Sequence, residues 1–169
     1  ALAMRLHDAN AKVLLTADGV HRRAKPVPMK TVADEALRAS PSVTSVLVFR
    51  RAGLDVPMQP GRDRDWGEAV AAATPLSTYE RTLANDPYLL LYTSGSTGKP
   101  KGARHVHAGF PLKNMIDQYL LFDVKPGERM LWFTDLGWMM GPFLIFGALG
   151  LGASCMLYEG TPDYPTADR

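Results

Sequence analysis

Short apolar runs alternate with helical patterns along this chain. Lys12-Val13-Leu14-Leu15-Thr16 predicts a short buried strand, closed by a turn at Asp18-Gly19. Thr31 to Ala39 predicts a helix that Thr31 can cap, with Asp34 three residues on as its capping-box partner and Pro41 past its end. Val43 to Phe49 is β-branched and predicts a strand. Arg50 to Asp65 is polar, with two prolines and two glycines, and predicts a surface loop; Asp65 and Glu68 can then start a short helix through Ala73.

Tyr88-Leu89-Leu90-Leu91-Tyr92 is apolar on both faces, as a central parallel strand requires. The best helical pattern follows. Leu112, Met115, Ile116, Tyr119 and Leu120 share one face, and Pro111 suits the first turn. Met130 to Thr134 predicts a fourth strand, Pro142 to Leu149 a buried helix and Ser154 to Tyr158 a fifth strand. This order predicts an α/β fold built of βαβ units, with a mostly parallel sheet and flanking helices. Ligands in such sheets bind beyond the carboxyl ends of the strands, where the loops after Tyr92 and after Thr134 lie.

Composition narrows the class without naming it. The chain has 169 residues, with 46% hydrophobic and 21% charged positions, which is globular. Lys and Arg number 19 against 17 Asp and Glu, a net charge of +2, too small for a general attraction to nucleic acid. The single cysteine, Cys155, excludes an intrachain disulfide and a Cys-rich metal site, and fits a reducing, cytoplasmic setting. Leu136 to Tyr158 carries no charge over 23 residues, long enough to span a bilayer. Five glycines and Pro142 interrupt it, so it reads as loop, short helix, turn and strand, and no membrane span is expected.

The chemistry concentrates after the YLLLY run. Thr93-Ser94-Gly95-Ser96-Thr97-Gly98-Lys99-Pro100-Lys101-Gly102 offers four hydroxyls, three glycines and two lysines in ten residues. Glycines let the backbone approach a ligand, successive N–H groups make an anion-binding concavity, and the lysines add positive charge. Those are the requirements for holding a polyphosphate. The segment is not a Walker A loop, because Thr93 stands where the first glycine belongs and Pro100 where the final Ser/Thr belongs. A flexible linker is the plain alternative, but a linker has no reason to leave a buried strand directly or to end in Lys-Pro-Lys-Gly.

YTSGSTGKPKG resembles the phosphate-binding signature of the adenylate-forming (AMP-binding) superfamily. The stretches 11–19, GWMMGP at 137–142 and LYEGTP at 157–162 are similar to acetyl-CoA synthetases and their short- and medium-chain relatives. The resemblance implies an ATP-dependent, AMP-forming acyl-CoA synthetase with ATP, Mg²⁺, CoA and a carboxylic acid as its substrates and ion. It assigns Thr93, Ser94, Gly95, Ser96, Thr97, Gly98 and Lys99 to the ATP phosphates, with Lys101 more peripheral and Thr93 near the magnesium. It assigns Gly137, Trp138, Met139, Met140 and Gly141 to the acyl pocket.

Where acetyl-CoA synthetases read Gly-Trp-Val-Thr-Gly-His, Met139, Met140 and Pro142 depart from the pattern. The larger, more deformable methionines imply a different fit from acetate: propionate, a longer or branched acid, or an oxo acid. Read as residues alone, Trp138, Met139 and Met140 are equally compatible with a core. Asp135 can face the site or cap the following turn. His105 and His107 form an HxH pair with no further ligands nearby in sequence, and His105 matches a histidine common in the family.

By the same resemblance, residues 1–169 form part of the large N-terminal adenylation domain. The C-terminal domain and the downstream magnesium glutamate and ribose aspartate are absent. The expectation is that these residues are inactive alone and self-associate through uncovered apolar faces. A carrier-protein-loading adenylation domain and a non-catalytic nucleotide-binding module are the alternatives.

Overall fold

The computed structural model describes residues 1–93 and 100–166. They form two compact units, one of Ala1–Thr78 with the segment from Gly160, the other of Tyr79–Glu159. The architecture is mixed α/β, with parallel strands and helices.

The first unit holds α1 (Leu2–Asp8), β1 (Val13–Ala17), β2 (Val20–Arg22), β3 (Lys25–Val27), α2 (Met29–Leu37), β4 (Ser45–Phe49), β5 (Asp63–Asp65) and α3 (Trp66–Ala71). β1, β4 and β5 make a parallel sheet with β4 in the middle, Leu14 facing Val46 and Thr16 facing Val48. Being central, β4 buries Val46 and Val48 completely. Leu6 of α1, Ala36 and Leu37 of α2, Val43 and Val56 complete that core.

Both strands expected here are present. The helix between them begins earlier than expected. Pro28 occupies its N-cap position with no side-chain cap, so Thr31 caps nothing. Asp34 instead takes the Lys30 ammonium on both carboxylate oxygens at 2.7 Å and the Arg62 guanidinium at 2.7 Å. A charge partner one helical turn away outcompetes a capping box that has no terminus to cap. α3 starts as expected, with Asp65 accepting from the N–H groups of Gly67 and Glu68 at 2.8 and 3.2 Å. The stretch expected as loop from Arg50 to Asp65 ends in β5.

The β2–β3 hairpin turns through Arg23 and Ala24, both in the left-handed region at φ 49° and 59°. Neither is a residue that signals such a turn, which is why the pattern hides it.

The second unit holds β6 (Pro87–Thr93), β7 (Lys101–Val106), α4 (Phe110–Leu121), β8 (Arg129–Leu131), α5 (Met140–Gly150) and β9 (Ser154–Met156). β8 and β9 pair in parallel across α5, the expected βαβ unit, around Met130, Leu144, Ala148 and Ala153. Phe122, Trp132 and Phe143 close it with mutual edge contacts at 5.6–6.0 Å. The uncharged segment 136–158 is thus turn, an 11-residue helix and a strand. Among the described residues, no helix is long and apolar enough to cross a membrane.

One expectation fails here. The YLLLY run is not a parallel strand among the described residues: β6 pairs antiparallel with β7, which the sequence reading missed entirely. Apolarity on both faces does not fix strand direction. The shared apolar face of α4 is turned outward, with Leu112 51%, Ile116 52% and Leu120 69% exposed. Asn114 and Gln118 are buried instead.

α5 causes this reversal. Its Gly147 admits the Gln118 amide so closely that a Cβ there would sit 2.0 Å from Nε2, and Gly150 likewise admits the Met115 sulfur. Gln118 Nε2 donates to the Phe143 carbonyl at 2.6 Å. Gln118 Oε1 and Asn114 Nδ2 have no partner among the described residues.

Candidate functional site

The candidate phosphate loop is the connection of a β-hairpin. Thr93 ends β6, Lys101 begins β7, and the two are register partners, with Tyr92 opposite Gly102 behind them. Both Thr93 and Lys101 are exposed. Ser94, Gly95, Ser96, Thr97, Gly98 and Lys99 lie outside the described residues. The structure therefore places the two ends of the candidate loop opposite one another, with Thr93 and Lys101 as register partners.

The other end of the hairpin is anchored by aromatic contacts. The Tyr88 ring lies 5.3 Å from His107 and 5.4 Å, edge-on, from Phe146 of α5. Burial pushes the Tyr88 phenol up from its ordinary value, and its hydroxyl has no partner among the described residues. His105 stacks on Phe110 at 4.6 Å, tying β7 to the start of α4. No group of three or more His, Cys, Asp or Glu able to hold a metal occurs among the described residues.

The second candidate segment is a tight turn between β8 and α5. Asp135 Oδ1 accepts from the Gly137 N–H at 2.7 Å, and the Asp135 carbonyl accepts from the Trp138 N–H at 3.0 Å. The Trp138 carbonyl accepts from the Gly141 N–H at 2.9 Å. Of the two roles open to Asp135, the structure thus shows the turn-capping one. Gly141 is required by close approach: a Cβ there would lie 2.5 Å from the Leu136 backbone. Gly141 is buried, Met140 half-buried, and Gly137 exposed. Leu136, Trp138 and Met139 are 46%, 54% and 55% exposed, so none is a core residue of this unit. A turn at the carboxyl end of β8 that displays three large apolar side chains can receive an apolar group.

A candidate phosphate segment and an exposed apolar turn lie on one α/β framework, and the comparisons give its class. The sequence profile of the family described as AMP-binding enzyme matches residues 1–169, and the chain belongs to that family. Over the whole chain it is 46% identical to the acetyl-coenzyme A synthetase of Mycobacterium tuberculosis, covering 27% of that protein. It is 44% identical to that of Rhodopirellula baltica, covering 25% of it. Among solved structures it is similar to an acetoacetyl-CoA synthetase from Streptomyces lividans, with a TM-score of 0.83, 31% identity, and coverage of 98% of this chain and 25% of that one. The chain spans about a quarter of the length of the curated relatives it matches.

Proposed function

We propose that this chain is part of an ATP-dependent, AMP-forming acyl-CoA synthetase, within its large N-terminal adenylation domain. A carboxylate oxygen attacks the α-phosphorus of ATP, the bond to the bridging oxygen breaks, and pyrophosphate leaves. The CoA thiol then attacks the acyl carbon of the adenylate, loses its proton, and AMP leaves. The enzyme's task is to hold and neutralise the triphosphate, by positioning and electrostatics rather than covalent chemistry. The observation that carries this reading is the hydroxyl- and glycine-rich connection bracketed by Thr93 and Lys101, in a chain 46% identical over its whole length to an acetyl-coenzyme A synthetase.

In this reading Ser94 to Lys99 bind the β- and γ-phosphates, with hydroxyls and the Lys99 ammonium as the chemical groups the sequence supplies. Lys101 contributes charge from the hairpin base. Mg²⁺ neutralises phosphate charge when bound. The exposed Thr93 hydroxyl is a hard oxygen donor that suits it, since this ion is commonly held by one or two protein groups plus phosphates.

The turn at 137–141 receives the acyl group. The flexible, half-exposed methionines favour an acid larger than acetate, an oxo acid included. A reduced, cytoplasmic location fits the lone free thiol. The outward apolar face of α4 supports self-association of the 169 residues expressed alone.

The test is acid-dependent exchange of labelled pyrophosphate into ATP by the full-length protein, over a panel of carboxylates. Exchange with at least one acid, followed by CoA-dependent thioester formation, is expected. ATP binding with no adenylate from any acid would overturn the reading.

A further inference from the structure

We propose that Asp135 is a positioning residue for the acyl group, acting through the turn that displays Trp138 and Met139. The inference rests on the acyl-pocket reading of that turn. Nothing assigns Asp135 a role in acid selection, and its own side chain points back onto the turn: Oδ1 accepts from the Gly137 N–H at 2.7 Å.

The turn is held at both ends and is tight throughout. A Cβ on residue 137 would stand 3.1 Å from Asp135 Oδ1, and one on residue 141 would stand 2.5 Å from Leu136 Cα. Glycine at both positions therefore lets the chain fold back under its neighbours. The Asp135 carbonyl serves the same turn, accepting from Trp138 N–H at 3.0 Å and from the Thr134 hydroxyl at 3.3 Å. Trp138 and Met139 are more than half exposed, so among the described residues the backbone beneath them does much to set their direction. Asp135 is bonded to that backbone through the Gly137 N–H, and the Thr134 hydroxyl through the Asp135 carbonyl. A charge-assisted bond to a backbone N–H is among the stronger constraints available to an exposed turn. Loss of it lets the display surface wander by a fraction of an ångström, which is enough to change substrate fit.

The experiment uses the full-length enzyme and compares Asp135→Ala, Asp135→Asn and Trp138→Ala by pyrophosphate exchange. The readouts are KM for a panel of acids, KM for ATP and the ranking of the acids. Asp135→Ala is expected to raise the acid KM roughly five- to tenfold and flatten the ranking, with the ATP KM unchanged. Asp135→Asn keeps an oxygen acceptor for the Gly137 N–H and is expected to restore both.

If Asp135→Ala leaves the acid KM and ranking intact while Trp138→Ala changes them, the positioning role falls and the pocket reading stands. If Trp138→Ala changes neither, the pocket reading itself falls. Should Asp135→Asn match Asp135→Ala, or the ATP KM rise equally, the hydrogen-bond mechanism is overturned. If the alanine variant fails to fold, Asp135→Leu, which has a similar shape and no acceptor, takes its place against the asparagine. A folded leucine variant with an unchanged acid KM and ranking would also overturn it.

Discussion

Thr93 and Lys101 face one another across the last rung of the β6–β7 ladder, so a hydroxyl and an ammonium group stand at the two ends of the candidate phosphate loop. The proposed roles separate them. Thr93→Ala in the full-length protein is expected to reduce kcat/KM for ATP by about ten- to a hundredfold, because an oxygen donor suited to the magnesium ion is lost. Lys101→Ala is expected to change it less than about threefold, since an exposed single charge is screened. Pyrophosphate exchange at varied ATP checks both, with circular dichroism to verify the hairpin. A larger effect at Lys101 than at Thr93 would reverse the assignment.

Asp18 is fully buried and accepts four backbone N–H groups, from Gly19, Arg51, Ala52 and Leu54, at 2.7–2.9 Å. It pins the segment after β4 onto the end of β1. Asp18→Ala strands those donors and is expected to destabilise the first unit by about 3 kcal/mol or more. Asp18→Asn keeps an accepting oxygen for Gly19, Arg51 and Ala52 and turns an NH₂ toward the Leu54 N–H alone, for about 1–2 kcal/mol. Urea midpoints at constant m-value give the comparison.

Lys30 has no exposed surface and touches Asp63 at 2.8 Å, both Asp34 oxygens and the Pro57 carbonyl. Asp63 in turn is bound by Arg62 at 2.5 and 3.0 Å. Lys30→Met leaves Asp63 buried with one cation fewer and is expected to cost about 3 kcal/mol. Lys30→Met with Asp63→Asn is expected to cost less than the sum of the two single changes. A double-mutant cycle by chemical denaturation measures this, and strict additivity would exclude the coupling.

Acid should release both clusters. Burial alone would raise the Asp63 and Asp18 carboxyls. The Arg62 and Lys30 bonds outweigh it at Asp63, holding it at about 2, and the four N–H donors hold Asp18 well below the ordinary carboxylate range. Because both folded values lie below the unfolded ones, their stabilisation is fully present above about pH 4. It is lost as pH falls from there toward 2. A Tm series from pH 6 to pH 2 is expected to fall in that window, and less steeply in Asp18→Asn.

Gly147→Ala tests the α4–α5 crossing. Alanine has the better helix propensity by about 1 kcal/mol, yet its Cβ would meet the Gln118 amide at 2.0 Å. A net loss of about 1–3 kcal/mol is expected, as for an overpacked core. Gln118→Ala added to it is expected to recover much of that loss, read as Tm.

Several elements were legible before any coordinates. β1 announces itself by its apolar run and β4 by its β-branched run, α3 by Asp65 with Glu68 behind it, and the β8–α5–β9 unit by the glycines and Pro142 that punctuate 136–158. Each rests on local physics: steric preference, a capping oxygen, a broken helix. β7 was invisible because Lys-Gly-Ala-Arg-His-Val shows no alternation of apolar and polar residues. Its pairing comes from the neighbour it folds back on. The face of α4 that meets α5 was not legible because hydrophobicity marks which residues can be buried, whereas the glycines of another helix decided which ones pack against it.

Sequence alone determined the candidate chemistry of this protein: the hydroxyls, glycines and lysines from Thr93 to Gly102, and the apolar Trp-Met-Met run after Gly137, since side-chain groups and their spacing are written in covalent order. Tertiary structure alone decided that the candidate phosphate segment joins two antiparallel strands, that Asp135 turns inward onto its own backbone, and that Gln118 rather than Leu112 or Ile116 lies against α5. Those outcomes depend on which surfaces meet at a distance of a few ångströms, and no local preference encodes that.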